Sequence, residues 1–228
     1  MQKRYSNRRE AGRALAAVIA CEPSLVDPLV VALPRGGVPV ALEVARALRA
    51  PLDVLVVRKI GAPGHAELAC GAATADGSVV WNDTVLFGRG ITQAELRAHK
   101  ERAFREARQL EGTLRSGSTP ALSAFAKTAV LVDDGLATGA TMKAALKSVL
   151  LQKPHRIIVA IPVGPEDTCA EIEEMGYRVV CANRVPEGEL SSVGEWYEDF
   201  SQVESSVCRA MLEERRAHCP EPPGAEAH

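Results

Sequence analysis

Uninterrupted apolar runs of strand length constrain the fold of this chain more than any other feature. Residues 29–33, 54–57, 129–132 and 157–161 form such runs, and none of them alternates with polar residues. A strand that is apolar on both faces is typical of a parallel sheet with helices on both sides. Amphipathic or helix-compatible stretches separate most of these runs, as a parallel sheet requires. We therefore predict an α/β domain with a central, mainly parallel sheet flanked by helices.

Between the runs, the pattern predicts helices over residues 7–21, 38–50, 92–114, 141–151 and 166–175, with a further strand over 178–182. Thr92 and Glu95 have the spacing of a capping box at the start of the third helix. Residues 58–86 contain four glycines and short alternating pieces, which predicts an irregular loop with one or two short hairpins. A long loop of this kind in a compact domain is often a functional lid, although a plain β-extension is the alternative.

Composition narrows the function classes. The chain has 27 lysines and arginines against 29 aspartates and glutamates, a formal net charge of −2. Nucleic-acid-binding proteins usually carry a basic excess, so we expect no nucleic-acid partner. No apolar run approaches the roughly 20 residues that cross a bilayer, and the first residues lack the apolar core of a signal peptide. Six scattered cysteines without a CxxC pair indicate reduced thiols. We expect a cytoplasmic protein with no membrane partner.

The strongest functional signal follows the apolar run 129–132. Asp133, Asp134 and Gly135 come first, and the segment then continues through Ala137, Thr138, Gly139, Ala140 and Thr141 into a predicted helix. Ligands of open α/β sheets bind at the carboxyl ends of the strands. A helix start offers unpaired N–H groups to a phosphate, glycines allow the backbone to curl around it, and threonine hydroxyls add donors. The segment therefore predicts a phosphate site.

The adjacent acids are unusual at such a site, because carboxylates repel a phosphate. They are explained by a ligand that also presents hydroxyl groups, since a carboxylate only accepts hydrogen bonds. A phosphorylated ribose fits both needs, and bound Mg²⁺ would relieve the repulsion. The loop is neither a Walker loop, because no lysine precedes Thr141, nor a dinucleotide fingerprint.

Residues 129–141 resemble the phosphoribosyl-diphosphate (PRPP) signature of type I phosphoribosyltransferases, more specifically a poorly assigned bacterial subgroup. The resemblance extends over about residues 29–185, because the other pieces follow in the family's order. Arg35, Gly36 and Gly37, after the first strand, resemble its pyrophosphate loop, whose turn often contains a cis peptide. Arg58 and Lys59 resemble the basic pair that faces pyrophosphate. The segment from Gly61 to Val85 takes the place of the mobile catalytic loop.

The resemblance implies transfer of a phosphoribosyl group from PRPP to a small nitrogenous acceptor, with Mg²⁺ as cofactor and release of pyrophosphate. Asp133 and Asp134 would hold the ribose hydroxyls, and residues 135 and 137–141 the 5′-phosphate. No side chain is assigned as a direct metal ligand. Members acting on 6-oxopurines carry aspartate at the position of Ala137, so the match is to adenine-type members. Because some members are regulators, a non-catalytic sensor of PRPP or nucleotides is the alternative.

The expected organisation is one phosphoribosyltransferase-like domain over residues 1–212. It includes a lid insertion at 58–90 and a hood with the C-terminal segment at 183–212, followed by a flexible tail at 213–228. Trp196 and Tyr197 lie in the most aromatic stretch and are candidates for stacking on a nucleobase, although we favour the alternative, in which they pack the C-terminal segment onto the core. The family is commonly dimeric, which leaves a homodimer open.

Overall fold

The computed structural model describes residues 5–23, 25–115 and 123–218. Its strands are β1 (Pro28–Ala32), β2 (Leu52–Val54), β3 (Val57–Ala62), β4 (His65–Thr74), β5 (Val79–Trp81), β6 (Thr128–Val132), β7 (Arg156–Pro165) and β8 (Arg178–Val185). Its helices are α1 (Arg8–Ile19), α2 (Gly37–Ala47), α3 (Asp83–Arg89), α4 (Arg97–Leu114), α5 (Ala140–Leu150), α6 (Glu166–Glu174) and α7 (Ser205–His218), with a 3-10 turn at Val193–Trp196.

The central sheet has five strands in the order β2-β1-β6-β7-β8, and every neighbouring pair is parallel. Every residue of β6 is buried, which explains its uniformly apolar sequence. Side chains of α1, α2 and α7 cover one face of the sheet, and side chains of α5 and α6 cover the other. The predicted α/β architecture is confirmed. Within the described ranges, no helix is both long and apolar enough to span a bilayer.

The apolar run 54–57 is not one strand, in contrast to the prediction. β2 ends at Val54 and β3 begins at Val57, in a different sheet. The Leu55 amide still donates to the Ala32 carbonyl oxygen, at 3.0 Å, before the chain leaves the central sheet. Both strands are buried at this point, so an apolar run could not reveal the change of sheet.

The lid region is also more regular than predicted. Strands β3, β4 and β5 form an antiparallel sheet of two consecutive hairpins, as the prediction of one or two hairpins allowed, whereas the helix α3 that follows it was not expected. Ile60, Cys70 and Ala73 form an apolar face that packs against Leu96 and Ala103. This small core gives the insertion its own support.

The predicted capping box forms, but the helix begins later than expected. The Thr92 amide donates to Glu95 Oε2 at 2.7 Å, and the Glu95 amide donates to Thr92 Oγ1 at 3.3 Å. The regular helix α4 starts only at Arg97. The box therefore closes a turn that leads into the helix.

The C-terminal segment contains a helix that the sequence analysis did not predict. Helix α7 buries Cys208, Met211 and Leu212 against the central core and packs beside α2 and α4. Residues 213–218 belong to it, so the expected flexible tail is wrong for that part. Residues 219–228 lie outside the described residues.

A buried ion pair joins β2 to the end of α4. Arg115 Nη1 lies 2.8 Å from Asp53 Oδ1, and the two side chains are 9% and 4% exposed. Arg115 also donates to the Val54 carbonyl oxygen at 2.8 Å and to Glu111 at 2.8 Å. These bonds satisfy a guanidinium that would otherwise be costly to bury.

Candidate active site

Asp133 and Asp134 lie where β6 ends, at the carboxyl edge of the central sheet. Asp133 Oδ1 accepts a hydrogen bond from the Asp134 amide at 2.9 Å. Burial, with the charge of Asp134 as the next cause, raises the pKa of Asp133 well above its ordinary value. The pair therefore favours a ligand that brings hydroxyl groups or positive charge.

The loop after the acids is fixed at both ends and leaves its middle donors free. The Leu136 amide donates to the Val163 carbonyl oxygen at 2.9 Å, and Thr168 Oγ1 donates to the Ala137 carbonyl oxygen at 3.1 Å. Gly139, at φ 69°, is the N-cap of α5 and offers no side-chain acceptor. Among the described residues, no acceptor is bonded to the amides of residues 137–139. These donors and the helix start suit an anion.

The turn after β1 contacts the acid pair directly. It contains a cis peptide bond between Pro34 and Arg35, as the family resemblance implied. A Cβ atom placed on Gly36 would lie 2.0 Å from Asp134 Oδ2. One placed on Gly37 would lie 2.7 Å from the Val132 carbonyl oxygen. Both glycines are therefore needed for close approach of this turn to the loop.

The predicted pyrophosphate residues are brought together only in part. Arg58 lies near Arg35 and Glu106; burial, with repulsion from Arg35 as a smaller cause, lowers its pKa although Glu106 opposes the shift. Lys59 is exposed, and the strand register pairs it with Ala72 on the opposite side of β3 from Arg58. It borders a cavity of about 420 Å³ with His99. Arg58 is thus close enough to be repelled by the charge of Arg35, whereas Lys59 lies on the opposite side of β3.

A second cavity, of about 470 Å³, opens beside the loop at residues 135–141, between α5 and the lid sheet. Its lining includes Thr138 and Ala140 from the loop, Lys143 and Lys147 from α5, and Trp81 from β5. The Lys143 ammonium lies 2.6 Å from a carboxylate oxygen of Glu171, which also borders this cavity. Residues 137, 138 and 140 of this loop are exposed, so its outer side is open to solvent.

The aromatic residues of the hood are packed inside the protein. Trp196 and Tyr197 are only 6% and 5% exposed and share a small core with Tyr5 and Val185. The Tyr197 hydroxyl donates to the Asp134 carbonyl oxygen at 2.5 Å. Neither ring is open to a planar base, so Trp196 and Tyr197 act as packing residues of the C-terminal segment.

Sequence reasoning missed Arg8, which comes 126 residues before its partner. Arg8 Nε lies 2.7 Å from Asp134 Oδ2, and the two side chains are 11% and 15% exposed. Sequence reasoning also missed the contact between the hood and Gly135. A Cβ atom placed on Gly135 would lie 2.4 Å from Val193 Cγ1. The N-cap at Asn7 indicates the start of a helix, but no local sequence pattern predicts that Arg8 contacts the acid pair.

Three comparisons bear on identity. A family model described as a phosphoribosyl transferase domain matches residues 8–192. Two Mycobacterium tuberculosis proteins, from the H37Rv and CDC 1551 strains, are named provisionally as phosphoribosyl transferases. Each is 39% identical over 216 residues, which is 95% of this chain but 47% of the relative. The chain thus spans about half the length of these curated relatives.

The crystal structure of TT1426 from Thermus thermophilus has a TM-score of 0.80 at 38% identity. The alignment covers 92% of this chain and 98% of that chain. The family match includes both strand-end turns and the acid pair, which are the parts that meet in the site. This chain belongs to the phosphoribosyl transferase domain family.

Proposed function

We propose that this domain transfers the phosphoribosyl group of PRPP to a nitrogen acceptor and releases pyrophosphate. The observation that carries the proposal is the set of free backbone N–H groups at residues 137–139, directly after the two strand-end carboxylates. Such donors bind a phosphate, whereas carboxylates bind sugar hydroxyls. A ribose 5-phosphate group needs phosphate-binding donors and hydroxyl-binding carboxylates that are no farther apart than the length of one sugar.

In the proposed complex, the 5′-phosphate binds at residues 135 and 137–141, and Asp133 and Asp134 accept hydrogen bonds from the ribose hydroxyls. The bond from C1′ to the pyrophosphate oxygen breaks, and its electron pair leaves with pyrophosphate. The acceptor nitrogen supplies the pair for the new bond to C1′ and then loses its proton. The carboxylates stabilise the positive charge that develops on the ribose.

The leaving group gains negative charge as that bond breaks. Gly36 and Gly37 lie beside the acid pair, and Arg35 with the Gly36 amide would bind the pyrophosphate. The Gly37 amide already donates to the Leu33 carbonyl oxygen at 3.0 Å, and Arg58 is close enough to be repelled by the charge of Arg35. Lys59 is on the other side of its strand, so its role in the leaving-group site requires movement of the lid. The lid sheet would also exclude water, which competes for C1′.

Mg²⁺ is the proposed cofactor, and the donor chemistry fits it. Mg²⁺ usually keeps several waters and binds one or two carboxylates together with substrate phosphates. The site offers two adjacent carboxylates, and no group of three or more potential metal-binding side chains occurs among the residues described. When bound, the ion would neutralise charge on the diphosphate.

A nucleobase is the proposed acceptor class, and its recognition must use groups other than the rings of Trp196 and Tyr197, which are buried. The assay should therefore measure pyrophosphate release with a panel of purines, pyrimidines and other nitrogen nucleophiles as acceptors. Pyrophosphate release from PRPP and Mg²⁺ should depend on one acceptor, with little release when none is added.

The matched variants test the acid pair. Asp133→Asn with Asp134→Asn should abolish acceptor-dependent release and weaken PRPP binding, because both ribose contacts lose their charge. Glu101→Gln, which removes an exposed carboxylate paired with Arg97, is the control and should behave like the unaltered protein. Unchanged affinity and rate in the double variant would refute the assignment. Bound PRPP without release from any acceptor would instead favour the alternative, a PRPP-sensing regulator.

A further inference from the structure

The side chain of Arg8 is held on three sides at the acid pair. Its Nε atom lies 2.7 Å from Asp134 Oδ2, and Nη1 donates to the Ser201 carbonyl oxygen at 2.8 Å. The guanidinium also lies over the Phe200 ring, 3.9 Å from the ring centroid. Arg8 is therefore held in one orientation, and Asp134 is held with it.

Helix stability does not explain this arginine. Arg8 is the first residue of α1, and Asn7 caps the helix by accepting hydrogen bonds from the amides of Arg9 and Glu10. A positive charge in the first turn of a helix is unfavourable because it faces the positive end of the helix dipole. The ion pair with Asp134 compensates for this placement, which points to a role at the acid pair.

The contact also leaves part of Asp134 available to a ligand. Arg8 bonds to Oδ2 only, and the Asp134 main chain is separately bound, because its carbonyl oxygen accepts from Tyr197 and its amide donates to Asp133. With one carboxylate oxygen and both main-chain groups engaged, the direction of Oδ1 is restricted. Preorganised acceptors lose less entropy when a ligand binds.

We propose that Arg8 is a positioning residue for phosphoribosyl binding: it holds Asp134 in the orientation that accepts the ribose hydroxyls and supplies a permanent positive charge beside the carboxylate pair. The inference rests on the proposed function, because it assigns Arg8 to the same sugar phosphate site. Arg8 acts through Asp134 and does not itself need to touch the substrate.

The test is a double-mutant cycle on PRPP affinity, measured by calorimetry in the presence of Mg²⁺. Arg8→Ala should weaken binding about tenfold to a hundredfold, the usual effect of losing a hydrogen bond to a charged group. In the Asp134→Asn background, the same change should alter affinity by less than about threefold, because its partner is already neutral. Arg13→Ala is the control, since Arg13 lies on the same helix and pairs with Glu43 instead.

Two further variants separate positioning from folding. Arg8→Lys keeps the charge and should recover about half or more of the loss on a logarithmic scale. Phe200→Ala leaves Arg8 intact but removes its ring support, so it should weaken binding less than Arg8→Ala and lose its effect when Asp134 is asparagine. The cycle of Phe200→Ala with Asp134→Asn therefore still tests the positioning role if the Arg8→Ala protein does not fold.

The outcomes distinguish the two proposals. If the unaltered protein binds PRPP and either Arg8→Ala has no effect or its effect persists in the Asp134→Asn background, the positioning role is overturned alone. If the unaltered protein does not bind PRPP, the proposed function falls, and the role of Arg8 falls with it.

Discussion

Replacing Gly36 by alanine tests whether contact between the two strand-end turns is needed for ligand binding. Gly36 has φ −60° and ψ −37°, which any residue adopts, so the substitution introduces no backbone strain. The added Cβ would lie 2.0 Å from Asp134 Oδ2 and 2.7 Å from Asp134 Cγ. The effect is therefore steric and falls on the carboxylate.

The magnitude follows from how far that carboxylate must move. Ordinary van der Waals contact begins at 3.4 Å, so Oδ2 must shift by about 1.4 Å from its position at 2.0 Å. Such a shift breaks the 2.7 Å bond between Oδ2 and Arg8 and turns the carboxylate, so that Oδ1 no longer points at the ribose hydroxyl. Losing one hydrogen bond to a charged group costs about 1.5–3 kcal/mol, which is roughly a tenfold to hundredfold weaker affinity for PRPP.

Calorimetric titration with PRPP and Mg²⁺ measures this effect directly. Gly88→Ala is the matched control, because a Cβ at Gly88 meets no atom within 4 Å and Gly88 lies inside a helix, where alanine is favourable. Circular dichroism should find both variants folded. A Gly36→Ala protein that binds PRPP as tightly as the Gly88→Ala protein would refute the steric argument and the assignment of Asp134 to the ribose.

Two further predictions concern stability. Asp53→Ala removes the buried carboxylate that pairs with Arg115 but leaves its pair with Glu111, so it should lower the free energy of unfolding in urea by about 3 kcal/mol, the low end for a broken buried pair. Arg97→Ala removes an exposed ion pair with Glu101, in which Arg97 is 81% exposed, and should change the free energy of unfolding by less than about 0.5 kcal/mol. Equal losses in the two variants would contradict the argument. Burial raises the pKa of Tyr5 to about 12 from 10.0. The folded state therefore retains this proton where the unfolded state loses it, so stability should be full below pH 10 and fall between pH 10 and 12, by up to about 1.4 kcal/mol per pH unit. The free energy of unfolding of Tyr5→Phe should depend less on pH between pH 10 and 12 than that of the unaltered protein. Equal pH dependence in the two proteins would exclude Tyr5 as the cause.

The central sheet was predictable because its inner strands β1, β6 and β7 consist mainly of apolar residues and each is followed by a helix. The strand β6 and the acids after it are continuous in sequence, so both the element and its loop could be located from residues 129–141 alone. The same rule failed at residues 54–57, where two consecutive apolar strands belong to different sheets. An apolar run indicates that its residues are buried, and each of the two sheets buries its own part of this run.

The site was only partly predictable, because much of it depends on long-range contacts. Arg8 meets Asp134 across 126 positions, and Tyr5 meets Pro162 across 157. The aromatic residues of the hood were recognised as unusual, yet composition could not distinguish a stacking platform from a small core. Helix α7 was missed although its buried residues Cys208, Met211 and Leu212 have helical spacing. Its neighbours α2 and α4 are distant in sequence.

Tyr197 and Phe200, which support Asp134 and Arg8, lie beyond the residues that the family model matches, which end at 192. A recombinant fragment cut at that boundary would keep all five parallel strands, because β8 ends at Val185. It would lose the Tyr197 hydroxyl and the Phe200 ring that hold Asp134 and Arg8 in place. Two homologues with identical signature loops can therefore differ in sugar affinity through these later residues alone, and substrate assignments transferred by motif should be checked against them.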